Sequence, residues 1–417
     1  MPLYDSAPAW VKRGAIVDWD FANNRYFGAP IDQRRVPRMQ TAVAANGFGT
    51  DNIMTGVRPD GRVDLFLGFA LRVSSGRGLW SESGDTQYAL QSRDLNNASW
   101  TKTNMTAVRT QPGADTAATA NRGTLLTATA GNATCLQSIT LASGAFCVGA
   151  WVRRSVGTGR IDMTMDGGTT WVEITSSINS SGYTRVQIPT QTLANPNVGF
   201  RIVTSGDAII VDFFQAVDRS FLPTPIITTT ATVTRTSERP AINHEGATTS
   251  FNQGEDLIRR LLVNSPASIF VEYAGFGYDG TGSNVNVAGG TGITRLENGV
   301  MGVAATYGNV SGTDAVTSNV GNSSTSSAYV FNRAVATISG NGCKVSLNGG
   351  AIASGTATIS FVTPPASVYD HFVFGGNGDG LRTLNGCFRR ISLWRRGLTD
   401  AELVGFSSWS AAETTTG

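Results

Sequence analysis

Residues 160–175, RIDMTMDGGTTWVEIT, decide the fold class. Ile161, Met163 and Met165 alternate with Asp162, Thr164 and Asp166. Side chains two apart share one face of a strand, so the pattern predicts a half-buried strand. Gly167-Gly168 supplies a turn, and TTWVEIT predicts the returning strand of a hairpin. Upstream, AFCVGAWVRR (145–154) puts Phe146, Val148, Ala150 and Val152 on one face. Downstream, NVGFRIVTSGDAIIVDFF (197–214) predicts two strands around Ser205-Gly206-Asp207. Short strands with regular turn signals indicate a β-sandwich or jelly roll.

The same signals continue towards the C-terminus. SIFVEYAGF (268–276) and CFRRISLWRRGL (387–398) predict strands. CKVSLNGG (343–350) alternates Cys343, Val345 and Leu347 with Lys344, Ser346 and Asn348 before a turn at Gly349-Gly350. LTDAELVGFSSW predicts a short helix, with Thr399 as N-cap and Glu402 three residues on, a capping box. GEDLIRRLL near Leu257 could form another helical turn. The expectation is an all-β chain of two tandem β-sandwich (jelly-roll) modules. Residues 1–80 form an irregular, partly β attachment and oligomerisation segment, 81–221 the first sandwich and 246–417 the second. Between them, 222–245 reads as an extended Pro/Thr-rich linker lying along the module surfaces.

Composition agrees. Only 15% of the 417 residues are charged, against roughly 25% in an average globular protein. Ser, Thr, Asn and 49 glycines take their place, which suits strands and tight turns. A net charge of +2 gives no global field to draw nucleic acid or an anionic membrane. Three of the 32 basic residues are lysines (Lys12, Lys102, Lys344) and the rest are arginines. Four cysteines are too few for a disulfide scaffold. Cys135/Cys147 or Cys343/Cys387 could pair, while buried free thiols are the plainer reading. The first residues, MPLYDSAPAWVKRG, contain no apolar signal core, and no apolar run is long enough to span a bilayer. Synthesis in the cytoplasm without a signal peptide, then assembly onto a particle released by lysis, is the expected route to a surface.

Two stretches resemble known families. CFRRISLWRRGLTDAELVGF and RAVATISGNGCKVSLNGGAIASG resemble the closing strands and helix of the concanavalin A-like (laminin-G-like) lectin/glucanase sandwich, over residues 265–409. YALQSRDLNNASWTKTNMT, GAWVRRS and FLPTPIITTTATVTRTSERP resemble the carbohydrate-binding-module-like domain of phage tail and head fibre proteins, over residues 60–240. The resemblance implies a structural adhesion protein, a head spike or tail fibre on the surface of a phage or of a phage-like particle such as a gene transfer agent. It would bind host surface polysaccharide, join capsid or tail proteins, and form a homo-oligomer, trimer or pentamer, for avidity. Nucleic acid and membrane insertion have no place in it. The alternatives are a decoration or baseplate subunit without ligand and, less well supported, a polysaccharide depolymerase.

Cleavage would need two carboxylates flanking the glycosidic bond. The E-x-D-x-x-E strand of the concanavalin-fold glucanases is absent, and Glu272 has no second carboxylate before Asp279. No G-x-S-x-G elbow accompanies the two histidines, His244 and His371. No enzyme is therefore expected. For sugar stacking, Trp100, Trp171, Tyr183, Tyr278 and Tyr307 occupy turn-rich contexts, whereas Trp151 and Trp394 fall inside strands and suit a core. Trp100 also suits a core. DGTGSN at Asp279 and GGNGDG with Asn377 and Asp379 have a composition that fits calcium, though such residues are also plain turn formers. No cofactor is otherwise indicated. Arg389, Arg390, Arg395 and Arg396 form a basic cluster, and strand alternation would send 389 and 390 to opposite faces.

Overall fold

The computed structural model describes residues 17–21, 25–28, 39–41, 53–58, 60, 62–67, 73–74, 76–82, 84–118, 120–235, 240–243, 266–275, 284–289, 294–299, 302–308, 314–320, 331–339, 342–355, 371–374 and 385–408. Two compact units emerge, one formed by Gly47–Gly68 and Gly84–Thr236, the other by Met1–Asn46, Phe69–Ser83 and Ser237–Gly417.

The first unit is a β-sandwich. One sheet pairs β2 (Met105–Gln111), β3 (Gly123–Ala128), β11 (Ala208–Val217), β5 (Gly144–Val156) and β8 (Thr184–Gln187) in that order, with β9 (Gln191–Leu193) also on β5. The facing sheet runs β7 (Val172–Glu173), β6 (Ile161–Thr164), β10 (Asn197–Ile202), β4 (Ala133–Ser138) and β1 (Thr101–Thr103). Alternation works as the sequence predicts. Ile161, Met163 and Met165 enter the core from one sheet, and Phe146, Val148, Ala150 and Val152 from the other. Each of these side chains larger than alanine contributes on the order of 1.5–3 kcal/mol by leaving water.

One register shift changes the parity of β11. Ile209 and Val211 face the core, and so do Phe214 and Ala216. The shift lies opposite Gly149/Trp151, and Phe213 there has φ +46°. A bulge of this kind leaves consecutive residues on one side. Asp212 and Phe213 thus both leave the core, where Arg93 meets them. Its Nε lies 2.8 Å from Asp212 Oδ1, its Nη2 2.7 Å from Asp115 Oδ2, and its guanidinium 4.0 Å from the Phe213 ring. The segment after β11 covers the same outer face: Arg185 Nη2 donates to the carbonyls of Leu222 and Pro223 at 2.7 and 2.9 Å.

In the second unit a nine-stranded sheet is centred on β12 (Ala267–Gly275), β13 (Asn332–Ser339), β14 (Gly342–Leu347) and β15 (Gly386–Trp394). A seven-stranded sheet contains the strands Met39–Thr41, Pro240–Asn243 and His371–Phe374. Register puts Phe270, Val335 and Trp394 on one face of the larger sheet, under helix α1 (Asp400–Ser408). Trp394 stacks on Phe406 of α1 with centroids 5.6 Å apart. The helix opens with the predicted capping box: Glu402 N–H donates to Thr399 Oγ1 at 3.3 Å, and Thr399 N–H to Glu402 Oε2 at 2.9 Å.

The linear order of modules is corrected by the pairing. The strand Val17–Asp20, expected in a separate attachment segment, pairs with β15 (Trp19 opposite Ile391), and Gly78–Ser81 pairs with the start of the same strand. The C-terminal sandwich is thus built from both ends of the chain, and the other sandwich is an insertion in it. Residues 222–235 of the expected linker belong to the inserted unit and lie against its surface. The expected helical turn near Leu257 lies outside the described residues. Among the described residues no helix is long and apolar enough to cross a membrane.

Candidate functional site

The outer face of the β7–β6–β10–β4–β1 sheet collects the polar halves of its alternating strands. Residues directly opposite in an antiparallel pair point to the same side. The register therefore lines up Glu173, Asp162, Arg201, Thr134 and Thr103 across all five strands. The neighbouring row is Thr164, Gly199, Leu136 and Thr101. Gly199 is required there, since a Cβ would stand 2.0 Å from the carbonyl oxygen of Cys135. Gly199 thus leaves one position without a side chain between Thr164 and Leu136.

Asp162 organises the centre. It is 0% exposed although it sits on the outer side of its strand. Arg160 Nε donates to its Oδ1 at 2.7 Å, and Arg201 Nε and Nη2 donate to Oδ2 at 2.9 and 2.7 Å. The Arg201 guanidinium also lies 4.5 Å from the ring of Trp171, a cation–π distance. Trp171 is placed by the Gly167-Gly168 turn, whose residues have φ +74° and +99°. That turn is tied by Asp166: the Thr164 hydroxyl and the Thr170 N–H both donate to Oδ1 at 2.8 Å. Burial opposes the charge of Asp166, yet hydrogen bonds from Thr170, Thr164 and Gly168 hold its carboxyl below the ordinary range. The result is a half-buried indole beside a fixed guanidinium, with hydroxyls of Thr134 and Thr103 in the adjoining strands.

The other aromatic candidates separate from Trp171. Trp100 does not face solvent: it is 1% exposed, meets Phe214 edge-on at 4.8 Å, and its Nε1 donates to Leu90 O at 3.2 Å. A sugar-stacking role for Trp100 is therefore corrected to a core role. Tyr183 adjoins the opposite sheet, where its hydroxyl donates to Pro112 O at 2.7 Å and Arg153 lies 5.5 Å from its ring. Burial, ahead of the charge of Asp212, pushes its phenol well above the ordinary range. Tyr307 lies on the strand Gly302–Gly308, opposite Thr294 and Val316. Tyr278, Asp279, Asn377 and Asp379 lie outside the described residues. Trp151 and Trp394 are both 0% exposed, as expected.

Several buried carboxylates are held by arginine. Asp212 and Asp115 share Arg93. Glu272 faces Arg333 Nε at 3.2 Å and Arg389 Nη1 at 4.0 Å; burial still leaves its carboxyl above the ordinary range. Arg389 reaches that side because β12 and β15 shift register between Glu272 and Tyr273. The expectation that Arg389 and Arg390 diverge fails for that reason. Cys135, Cys147 and Cys387 are free and buried, and Cys135 and Cys147 belong to different apolar clusters. Burial pushes the Cys135 and Cys387 thiols up to about 12 and that of Cys147 to about 11.

Sequence reading found Trp171 and missed its partners Arg201 and Asp162. Alternation marks both as outward residues, but which outward residues of distant strands meet is a matter of register.

No family model matches the chain, and no curated protein matches it. Among solved structures, the CBM40 module of a Ruminococcus gnavus IT-sialidase, bound to α2,6-sialyllactose, is 18% identical over 34% of this chain and 83% of its own, with a TM-score of 0.28. The NanB sialidase of Streptococcus pneumoniae is 15% identical over 37% of this chain and 26% of its own, with a TM-score of 0.29. Domains LG4-5 of the mouse laminin α1 chain are 13% identical over 80% of this chain and 96% of theirs, with a TM-score of 0.25. Likenesses of this size carry no argument about function. The all-β fold rests on the strand pairing itself.

Proposed function

We propose that the chain is a structural adhesion protein, a head spike or tail fibre of a phage or a phage-like particle such as a gene transfer agent, which holds host surface polysaccharide without cutting it. The observation that carries the binding half is the outer face around Trp171 and Arg201. An indole offers an apolar surface to a pyranose ring, while guanidinium and hydroxyl groups take up its hydroxyls. The holding half is supported by the buried carboxylates Asp212, Asp162 and Glu272, which arginines occupy instead of leaving them to flank a glycosidic bond. The particle-borne half is supported by the motifs of residues 60–240 and 265–409. In this reading capsid or tail proteins are the fixed partners, and a homo-oligomer, trimer or pentamer, multiplies weak single sites into avidity. Calcium, nucleic acid and membrane insertion are not needed.

The test is binding of the labelled protein to host cells with and without capsule or O-antigen. Binding is expected on intact cells and lost on bare ones. Trp171→Ala is expected to weaken it about tenfold or more, the usual scale for a central tryptophan. Equal binding to bare cells would sink the proposal. Absence of binding to any host polysaccharide would favour a plain decoration or baseplate subunit, and shortened capsule chains a depolymerase.

A further inference from the structure

We infer that the polysaccharide taken by this face is acidic, a chain bearing sugar carboxylates, and that Arg160 and Arg201 select it. The inference rests on the sugar-binding reading of the same face and narrows it to a ligand class.

Asp162 is fully buried, and two cations give it three hydrogen bonds. Its Oδ1 takes Arg160 Nε, and its Oδ2 takes Nε and Nη2 of Arg201. A carboxylate buried in this way is closed to a ligand hydroxyl. It acts as a hidden anchor that sets two guanidiniums side by side on the surface. Guanidinium carries five N–H donors and no acceptor. Among the described residues, no protein acceptor is paired with the Nη atoms of Arg160 or with Nη1 of Arg201. The two side chains are 47% and 22% exposed, so these donors face outward. Trp171 fixes the second guanidinium from the side, which lowers the entropy lost when a ligand is gripped.

Charge points the same way. Two cations stand over one buried, occupied anion. Asp166 is turned into its own loop by Thr164 and Thr170. The remaining carboxylate, Glu173, is 51% exposed on the edge strand and 3.8 Å from Arg160 Nε. Asp162 and Glu173 match the two arginines in number, but Asp162 is buried while the unpaired N–H groups of the arginines face outward, so the centre presents donors to a ligand. A sugar carboxylate, which accepts in pairs and in plane, suits it better than a neutral sugar, whose hydroxyls also need acceptors. A nucleic acid strand fits less well: the face has a single half-buried indole for stacking, and the whole chain is only +2.

The experiment is calorimetric or array binding of the whole chain to polygalacturonate, to the same polymer after carboxyl reduction, to a neutral polysaccharide and to single-stranded DNA. Binding to polygalacturonate is expected, with about tenfold or greater loss on carboxyl reduction and a similar loss in Arg160→Gln and Arg201→Ala. Arg160→Gln is the variant that leaves the fold intact, since that side chain is half exposed. Glu173→Gln removes the exposed carboxylate beside Arg160 and is expected to tighten polygalacturonate binding severalfold while leaving neutral glycans unaffected. If the reduced and neutral polymers bind as well as the acid, and Trp171→Ala abolishes both, the acidic class is overturned and the sugar-binding reading stands. If no polymer responds to Trp171→Ala or Arg201→Ala, both are overturned. DNA binding as strong as that of polygalacturonate would also overturn the inference, as generic anion attraction.

Discussion

At the scale of single residues, Arg93 shows how one polar side chain fixes an irregularity. Phe213 at φ +46° occupies a backbone region that costs roughly 1–2 kcal/mol for a side chain with a Cβ. Arg93 offsets that cost by bonding Asp212 and Asp115 and lying over the Phe213 ring. The Asp212 carboxyl is raised above its ordinary value chiefly by burial, against the pull of Arg93. Arg93→Met would keep the packing volume but leave two buried carboxylates without a cation. It is expected to destabilise the inserted sandwich by about 3–5 kcal/mol, read as a lower urea midpoint at neutral pH. An unchanged midpoint would show that the trio does not hold the bulge. Asp162 is organised differently, because its two arginines remain partly in water and can serve a ligand as well as the fold.

At the scale of elements, helix α1 and the hairpin β6–β7 were both legible in the sequence, for different reasons. A capping box is a local device, and Thr399 and Glu402 meet as the spacing predicts. Glu402 also accepts from Arg396 Nη1 and Nη2 at 2.9 and 2.6 Å, and this pair, with the cap, lowers its carboxyl to about 2. Its folded value is thus below the ordinary value of 4.5. The stabilisation is fully present above about 4.5 and is lost as pH falls towards 2. Because the pair is partly exposed, Glu402→Gln is expected to cost only about 1 kcal/mol at pH 7. The gap between wild type and variant in urea unfolding should close near pH 2. A gap independent of pH would assign the loss to packing. The hairpin shows the limit of local reading: its alternation gave the faces correctly, but the outer residues Asp162 and Thr164 are as buried as core residues. Asp162 is covered in part by Arg201 from the neighbouring strand, which the local pattern does not reveal.

At the scale of the whole molecule, the chain order of the modules is not their spatial order. The strand Val17–Asp20 lies beside β15, and Asp18 accepts from Arg390 Nε at 2.7 Å. Trp19 and Phe21 are 0% and 1% exposed. A chain lacking residues 1–21 would lose this edge strand and strip Arg390 of Asp18. In calorimetry its C-terminal unit is expected to melt roughly 10 °C lower, while the inserted unit melts as before. No change would restore the leader to a purely attaching role. The sequence by itself determined the all-β class, the inward faces of the strands, the capped helix and the absence of the glucanase carboxylate spacing. These depend on side chains two to four residues apart, whose geometry the local backbone dictates. Only the tertiary structure decided that the leader completes the last sandwich, that Trp100 is core, that Arg389 reaches Glu272 while Arg390 pairs with Asp18, and that Trp171, Arg201 and Asp162 form one face. Those outcomes depend on strand order, register and bulges, and one residue of register changes which side chains meet. The hairpin of residues 160–175 belongs to both: its own pattern makes it a strand pair, and β10 brings Arg201 beside Asp162.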